Sequence, residues 1–302
     1  MRVGVLAGFD EALVKALQLE IEAAPGAIWV DLKLGPTSLD APPTVDVVLD
    51  RASHENAFYA AWVRYAEDQG VRVVNHPRRT SAGSPFADLV RARKAGLMVA
   101  ETVLLPSKAY AAHLGASALK NLSFPLDWNE VWSRVSPRAR VLPALSMSML
   151  TGVEVRDAEG LLAVYDRTGE TPTMVQRCVE GQRVRAFCIS GADCEFLVLD
   201  ENGLALTEEC LDAEAMKTIS AASRAASSAL ELECAVLDFT LTPEGAVLTA
   251  VDAAAAEIEP STLGDARFSA VVKALAALLT KPQRATAAKK PARAAKRPKS
   301  GS

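Results

Sequence analysis

The residues whose types could do chemistry are few and widely spaced. The five cysteines, Cys178, Cys188, Cys194, Cys210 and Cys234, form no CxxC pair, and the three histidines, His54, His76 and His113, are scattered. No tetrahedral zinc set is therefore written in the chain. What remains is a group of charged and amide side chains on short apolar runs. Asp238 and Asp252 fall on the runs 234–241 and 247–252, which flank a Pro243–Gly245 turn, so a β-hairpin would carry both carboxylates. Arg185 lies in the run 183–190, where its fork of donors could hold a phosphate or carboxylate, or pair with an acid such as Glu195. Gln176, in the run 174–178, could complete strand hydrogen bonding. The two acids could equally be plain strand-end groups in a solvated cleft.

Positioning such residues requires strands, and the chain has them. In the first third, strand-like runs at 3–7, 28–32 and 45–49 alternate with a helix-period segment at 11–24, the signature of βαβ units and a parallel sheet. Residues 56–69 give a further helix with Phe58, Trp62 and Tyr65 at core spacing; Gly70 stops it and the run VRVVN follows. This α/β lobe ends near His76. A helix at 86–95 and a strand at 102–105 come next, then Asp127 as a helix cap with Trp128 and Trp132 packing behind it. Strands are expected at 140–145, 152–156, 174–178, 183–190 and 196–199, with helices at 158–168 and 212–230. The hairpin then leads to a closing helix at 267–279.

With half its residues hydrophobic, a chain of 302 residues can bury a large core spread over two or three lobes. The net charge of −4 conceals an asymmetry, because residues 281–302 hold eight lysines and arginines and no acid. That segment has no large apolar residue to offset the entropy of ordering, so it is expected to be a disordered basic tail. It suits weak, sequence-blind and salt-sensitive contact with nucleic acid or another polyanion, or a solubilising role. An odd number of unpaired cysteines suggests reduced thiols and a cytoplasmic compartment. Asp10 and Glu11 follow the first apolar run too closely for a signal peptide, and no run approaches the length of a membrane span.

Four stretches, in order, resemble the ATP-grasp superfamily, especially a RimK-like, largely uncharacterised bacterial branch. They are VVLDR with VRVVNHP; TVLLPSKAY at 102–110 with LKNLSFPLDW at 119–128; MVQRCVEGQRVRAFCISG at 174–191; and AVLDFTLTPEGAVLTAVDAAAAEIEP at 235–260. The resemblance implies an α/β fold with a preATP-grasp lobe over 1–77 and an ATP-grasp domain over 78–280, in which two α+β lobes sandwich a nucleotide cleft. It implies ATP and magnesium as cofactors. Adenine would sit along Val175, Gln176 and Val179, Arg185 would be the surviving catalytic group, and Asp238 and Asp252 would hold the metal.

Against that pattern the chain departs where charge must be neutralised during phosphoryl transfer. Ser84-Pro85 stands where the family has a phosphate-facing lysine, and the nearest lysine, Lys94, falls well along the helix. Leu142 replaces a second lysine before Pro143. The stretch 144–151 contains no glycine to let backbone amides approach phosphates, and its Met and Leu side chains suit packing. The hinge pair reads Gln176-Arg177 instead of Gln-Glu, and Ala255-Ala256 stands where Asn-Pro is usual. These departures count against ATP and magnesium. They point to a catalytically degenerate homologue with a binding or regulatory role, partnered by an active paralogue or another protein. The alternative is an ATP-dependent carboxylate–amine ligase in which Lys94, Arg140 or Arg177 substitutes for the missing lysines; a second alternative is association with nucleic acid through the tail.

Overall fold

The computed structural model describes residues 1–282 except 9, 77–83, 112, 145–151, 192, 202, 207–210 and 256. The basic tail from residue 283, the glycine-poor stretch 145–151 and Cys210 lie outside the described residues.

The first lobe is a parallel sheet. Strands β1 (Arg2–Leu6), β2 (Ile28–Val30), β3 (Val47–Asp50) and β4 (Arg72–Val74) run in the order β2-β1-β3-β4. Helix α1 (Glu11–Ala23) begins where the Asp10 carboxylate accepts from the Leu13 amide at 3.3 Å, and it buries Leu13, Leu17 and Ile21, one turn apart. Helix α2 (Ala57–Asp68) buries Trp62, Val63 and Ala66. Tyr65 is half-buried against the same core, whereas Phe58, expected beside them, is 46% exposed because it sits in the first turn, beyond the sheet edge's cover.

After α3 (Pro85–Lys94), started by the Ser84 hydroxyl, comes an antiparallel central sheet. It comprises β5 (Thr102–Leu105), β6 (Ala139–Pro143), β7 (Val153–Val155) and β8 (Thr173–Arg177), ordered β5-β8-β6-β7. Helices α4 (Trp128–Val135) and α5 (Ala158–Tyr165) cover one face, with Leu105, Val135, Val141, Leu161 and Val175 in the core between. Asp127 caps α4 as expected, accepting from the amides of Asn129 and Glu130, and Trp128 packs on Tyr165 with ring centroids 4.9 Å apart. Because side chains alternate along a strand, the opposite face carries Arg140, Leu142, Met174 and Gln176.

The third sheet is also antiparallel: β9 (Gln182–Ile189), β10 (Asp193–Leu199), β11 (Cys234–Thr242) and β12 (Gly245–Asp252), ordered β10-β9-β11-β12. The expected hairpin is β11–β12. One face packs Val184, Ala186, Leu237, Phe239 and Leu248 under α3 and α6 (Ala213–Leu230). The other packs Phe187, Ile189, Leu197 and Val236 against α7 (Pro260–Thr280), which itself lies on α1. Helix α7 begins earlier than the pattern suggested and breaks at Gly264, whose φ of 72° and ψ of 158° fit glycine alone. The first lobe and the third sheet thus share one apolar core. Cys178, Cys188, Cys194 and Cys234 form no disulfide among the described residues, where no helix is long and apolar enough to cross a membrane.

Candidate functional site

The polar face of the central sheet and the third sheet bound a cleft of about 970 Å³. Its floor comes from two cross-strand pairs of β6 and β8, Arg140 with Gln176 and Leu142 with Met174. The facing wall is one side of β9 and β11: Arg183, Arg185, Asp238 and Thr240. On β9 the same side continues inward as Phe187 and Ile189, so a single strand face is apolar under the first lobe and cationic where the cleft opens. The turn between β8 and β9 closes one end. There Gly181 has φ 146°, and a Cβ on it would lie 2.0 Å from the Leu241 carbonyl oxygen, so only glycine lets this turn seat against β11. Gln176 ties the two walls together, its amide donating to Thr102 Oγ1 at 3.1 Å and to the Thr249 carbonyl at 3.0 Å.

The deep end is an ion network. Arg185 and Asp238 are direct cross-strand neighbours, and the guanidinium binds the carboxylate bidentately, Nε to Oδ1 at 2.8 Å and Nη2 to Oδ2 at 3.0 Å. Its remaining Nη1 donates to Glu257 Oε2. Arg185 is only 6% exposed. Burial alone would lower its pKa, but the hydrogen bonds and charge of Asp238, with Glu257 behind, outweigh it and move the pKa upward. The Glu257 pKa also moves up, which for a carboxylate disfavours the charged form: burial raises it, and Arg185 only partly opposes this.

The first lobe holds the backbone beneath this network. Asn75 donates from Nδ2 to the carbonyls of Ala253 at 2.7 Å and Cys234 at 2.5 Å, while its Oδ1 accepts from the amides of Glu233 and Cys234. Arg51 donates to the carbonyls of Ala254 and Ala255 at 3.2 and 2.7 Å and pairs with Asp10. Asp252, fully buried at 0% exposure, accepts from the amides of Ala254 and Ala255 through Oδ1, which makes it a turn-capping carboxylate.

The residues singled out from sequence are therefore distributed as follows. Gln176, Val179, Arg185 and Asp238 line the cleft. Val175 points to the opposite face of β8, into the core, as strand alternation requires of a neighbour of Gln176. Asp252 does not reach the cleft surface, and the residue across the hairpin from Asp238 is Ala250. Arg185 pairs with Asp238 and Glu257, whereas Glu195 stands opposite Phe187 on β10. Glu257 and Arg183 had no assigned role; the signal for Glu257 was an acid ending the alanine run AAAAE. Of the basic residues considered as substitutes, Arg140 and Arg177 line the cleft and Lys94 does not. Among the described residues no lysine lines it at all, and Leu142, 8% exposed, puts an apolar side chain on the floor beside Met174.

A nucleotide fits this space in size and in its mixture of apolar and polar lining. Magnesium fits poorly. Both oxygens of Asp238 are engaged by Arg185, Glu257 shares that guanidinium, and Asp252 faces its own turn. Among the described residues no three His, Cys, Asp or Glu side chains are grouped to hold an ion.

No family model and no curated protein matches the chain. Solved structures do. A RimK domain ATP-grasp protein from Sphaerobacter thermophilus superposes with a TM-score of 0.66 at 17% identity, covering 93% of this chain and 100% of that one. The D-alanine–D-alanine ligase from Bacillus anthracis, solved with ATP, gives 0.64 at 15% identity, covering 92% and 95%. The ATP-grasp ligase PsnB, solved with a minimal precursor, Mg and ADP, gives 0.60 at 16% identity, covering 93% and 98%. Identities this low speak to architecture alone, and the architecture, a parallel lobe followed by two antiparallel sheets facing each other across a cleft, is the ATP-grasp fold.

Proposed function

We propose that this chain is a nucleotide-binding protein of the ATP-grasp fold that does not transfer phosphoryl groups and serves a binding or regulatory role. One observation carries the reading: the guanidinium of Arg185 occupies both oxygens of Asp238 and one of Glu257, leaving the acids at the deep end already neutralised. A transferring phosphate needs positive charge brought to it by metal ions or lysines. Here the carboxylates that would recruit a metal are spent on an internal cation, and no lysine lines the cleft among the described residues. The space between the sheets remains open beside Gln176 and Val179, which supports retention of a ligand. Magnesium, where present, would supply charge to a bound triphosphate; the chain's own residues would hold and orient the ligand between floor and wall.

Purified protein incubated with ATP and magnesium is expected to release no phosphate above the level of an Asp238→Ala control, while millimolar ATP raises the melting temperature. Carboxylate-dependent turnover would sink the reading. Such turnover would favour a ligase using Arg140 and Arg177, both of which line the cleft.

A further inference from the structure

At the mouth of the cleft, two guanidiniums from opposite walls meet. Arg140 rises from β6 of the central sheet and Arg183 from the start of β9 in the third sheet. Both donate to the same atom, the Glu201 carbonyl oxygen, Arg140 through Nη2 at 3.2 Å and Arg183 through Nη1 at 3.0 Å; Arg183 Nη1 also reaches the Asp200 carbonyl at 3.0 Å. Two cations are thus held side by side. Every hydrogen bond that these two side chains make among the described residues ends on a backbone carbonyl, and neither forms an ion pair there.

This is an unusual arrangement for a half-buried site, because like charges repel more strongly as water is withdrawn. Arg183 registers the cost: burial first, and the neighbouring Arg140 second, push its pKa down, only partly opposed by Asp238 and Asp200. Three of the other cleft arginines contrast with the pair: Arg185 is matched by Asp238 and Glu257, and Arg138 and Arg156 share Glu154. Arg177 also donates to a backbone carbonyl, that of Arg134 at 2.6 Å, but it shares no acceptor with a second guanidinium among the described residues. Asp200 accepts from the Leu204 amide, and Glu201 is exposed on the rim. The remaining donors of Arg140 and Arg183 are those that planar, bidentate recognition of a phosphate uses.

We propose that Arg140 and Arg183 form a clamp for the phosphates of the ligand in this cleft, so that a phosphoanion binds without a divalent cation. The proposal rests on the nucleotide-binding reading above and adds to it the residues and the metal independence. It would let a cleft with no lysine and no free metal set among its described residues hold an anion. The anion neutralises the repelling pair, and because the two arginines belong to different sheets, it ties the walls together.

The test uses the full chain, with ATP, inorganic tripolyphosphate and adenosine titrated separately in EDTA and in magnesium, for wild type and for Arg140→Gln, Arg183→Gln and Arg183→Lys. Circular dichroism checks that each variant is folded. ATP and tripolyphosphate are expected to bind wild type equally well with EDTA or magnesium, and each Gln variant to weaken both by about tenfold or more, as loss of a charge-assisted contact does. Adenosine binding should be unchanged in all variants, and Arg183→Lys should recover part of the ATP affinity. Binding that appears only with magnesium, or Gln variants that bind ATP like wild type, overturns the clamp. Tripolyphosphate binding that depends on both arginines, with ATP and adenosine silent, keeps the clamp and rejects the nucleotide reading. Silence of wild type toward every probe rejects both.

Discussion

The two ends of the cleft solve opposite electrostatic problems. At the deep end, cation and anions are matched within the chain: one guanidinium faces two carboxylates, each hydrogen-bonded, beneath a turn pinned by Arg51 and Asn75. At the mouth, two guanidiniums share a carbonyl oxygen and neither has an ionic partner among the described residues. A network that is complete without a ligand serves stability and leaves little for chemistry. A pair of like charges with no ion pair among the described residues would gain by binding an anion, and on the clamp proposed above that difference would put the ligand's phosphates at the mouth.

The largest way to break the comparison is at the deep end. Replacing Arg185 by Ala leaves Asp238 and Glu257 facing each other in a buried site, and should cost about 3–5 kcal/mol of stability in urea unfolding, the usual result of removing one partner from a buried pair. A loss below about 1 kcal/mol would mean that the network is not structural.

A smaller, pH-dependent effect is expected at Glu257. Its pKa is higher in the folded state than in the unfolded chain, so the folded state holds the proton more tightly. That contribution to stability is fully present below the unfolded carboxyl pKa and is lost as pH rises through the folded one. Glu257→Gln removes this titration, so the variant should gain on wild type as pH is raised from 4 to 7. Unfolding curves at both pH values compare them, and a variant that loses ground over that interval contradicts the assignment.

The smallest effect should come from the mouth. Arg140→Gln removes one member of a repelling pair and one hydrogen bond to a carbonyl, so stability without ligand should stay within about 0.5 kcal/mol of wild type by the same unfolding assay. A large loss would place Arg140 in a structural network like that of Arg185 and erase the contrast.

Much of the fold was readable because local patterns are local facts. The spacing of Leu13, Leu17 and Ile21 marks a helix with one apolar side, Asp127 marks its helix start, and the runs around Pro243–Gly245 mark a hairpin. Even the break in α7 has its residue, Gly264, although the helical period is legible only on its far side, over 267–279. The site was readable only in part. Gln176, Arg185 and Asp238 were marked by the resemblance of their strands to the ATP-grasp family, yet Glu257 and Arg183 were not, since an acid after an alanine run and a second arginine on a strand are ordinary in themselves.

What the sequence by itself determined is the list of elements, their order, and which residues each strand can present on one face, because periods of 2 and 3.6 are written in the chain. Only the tertiary structure decided who meets whom. Pairing β9 with β11 sets Arg185 beside Asp238, 53 residues away, and the facing of two sheets brings Arg140 and Arg183 to one oxygen. Packing of α1 on α7 in a shared core lets Arg51 and Asn75 hold the turn that orients Asp252 inward. Strand register and sheet stacking arise from burial summed over distant segments, and no local stretch carries that sum.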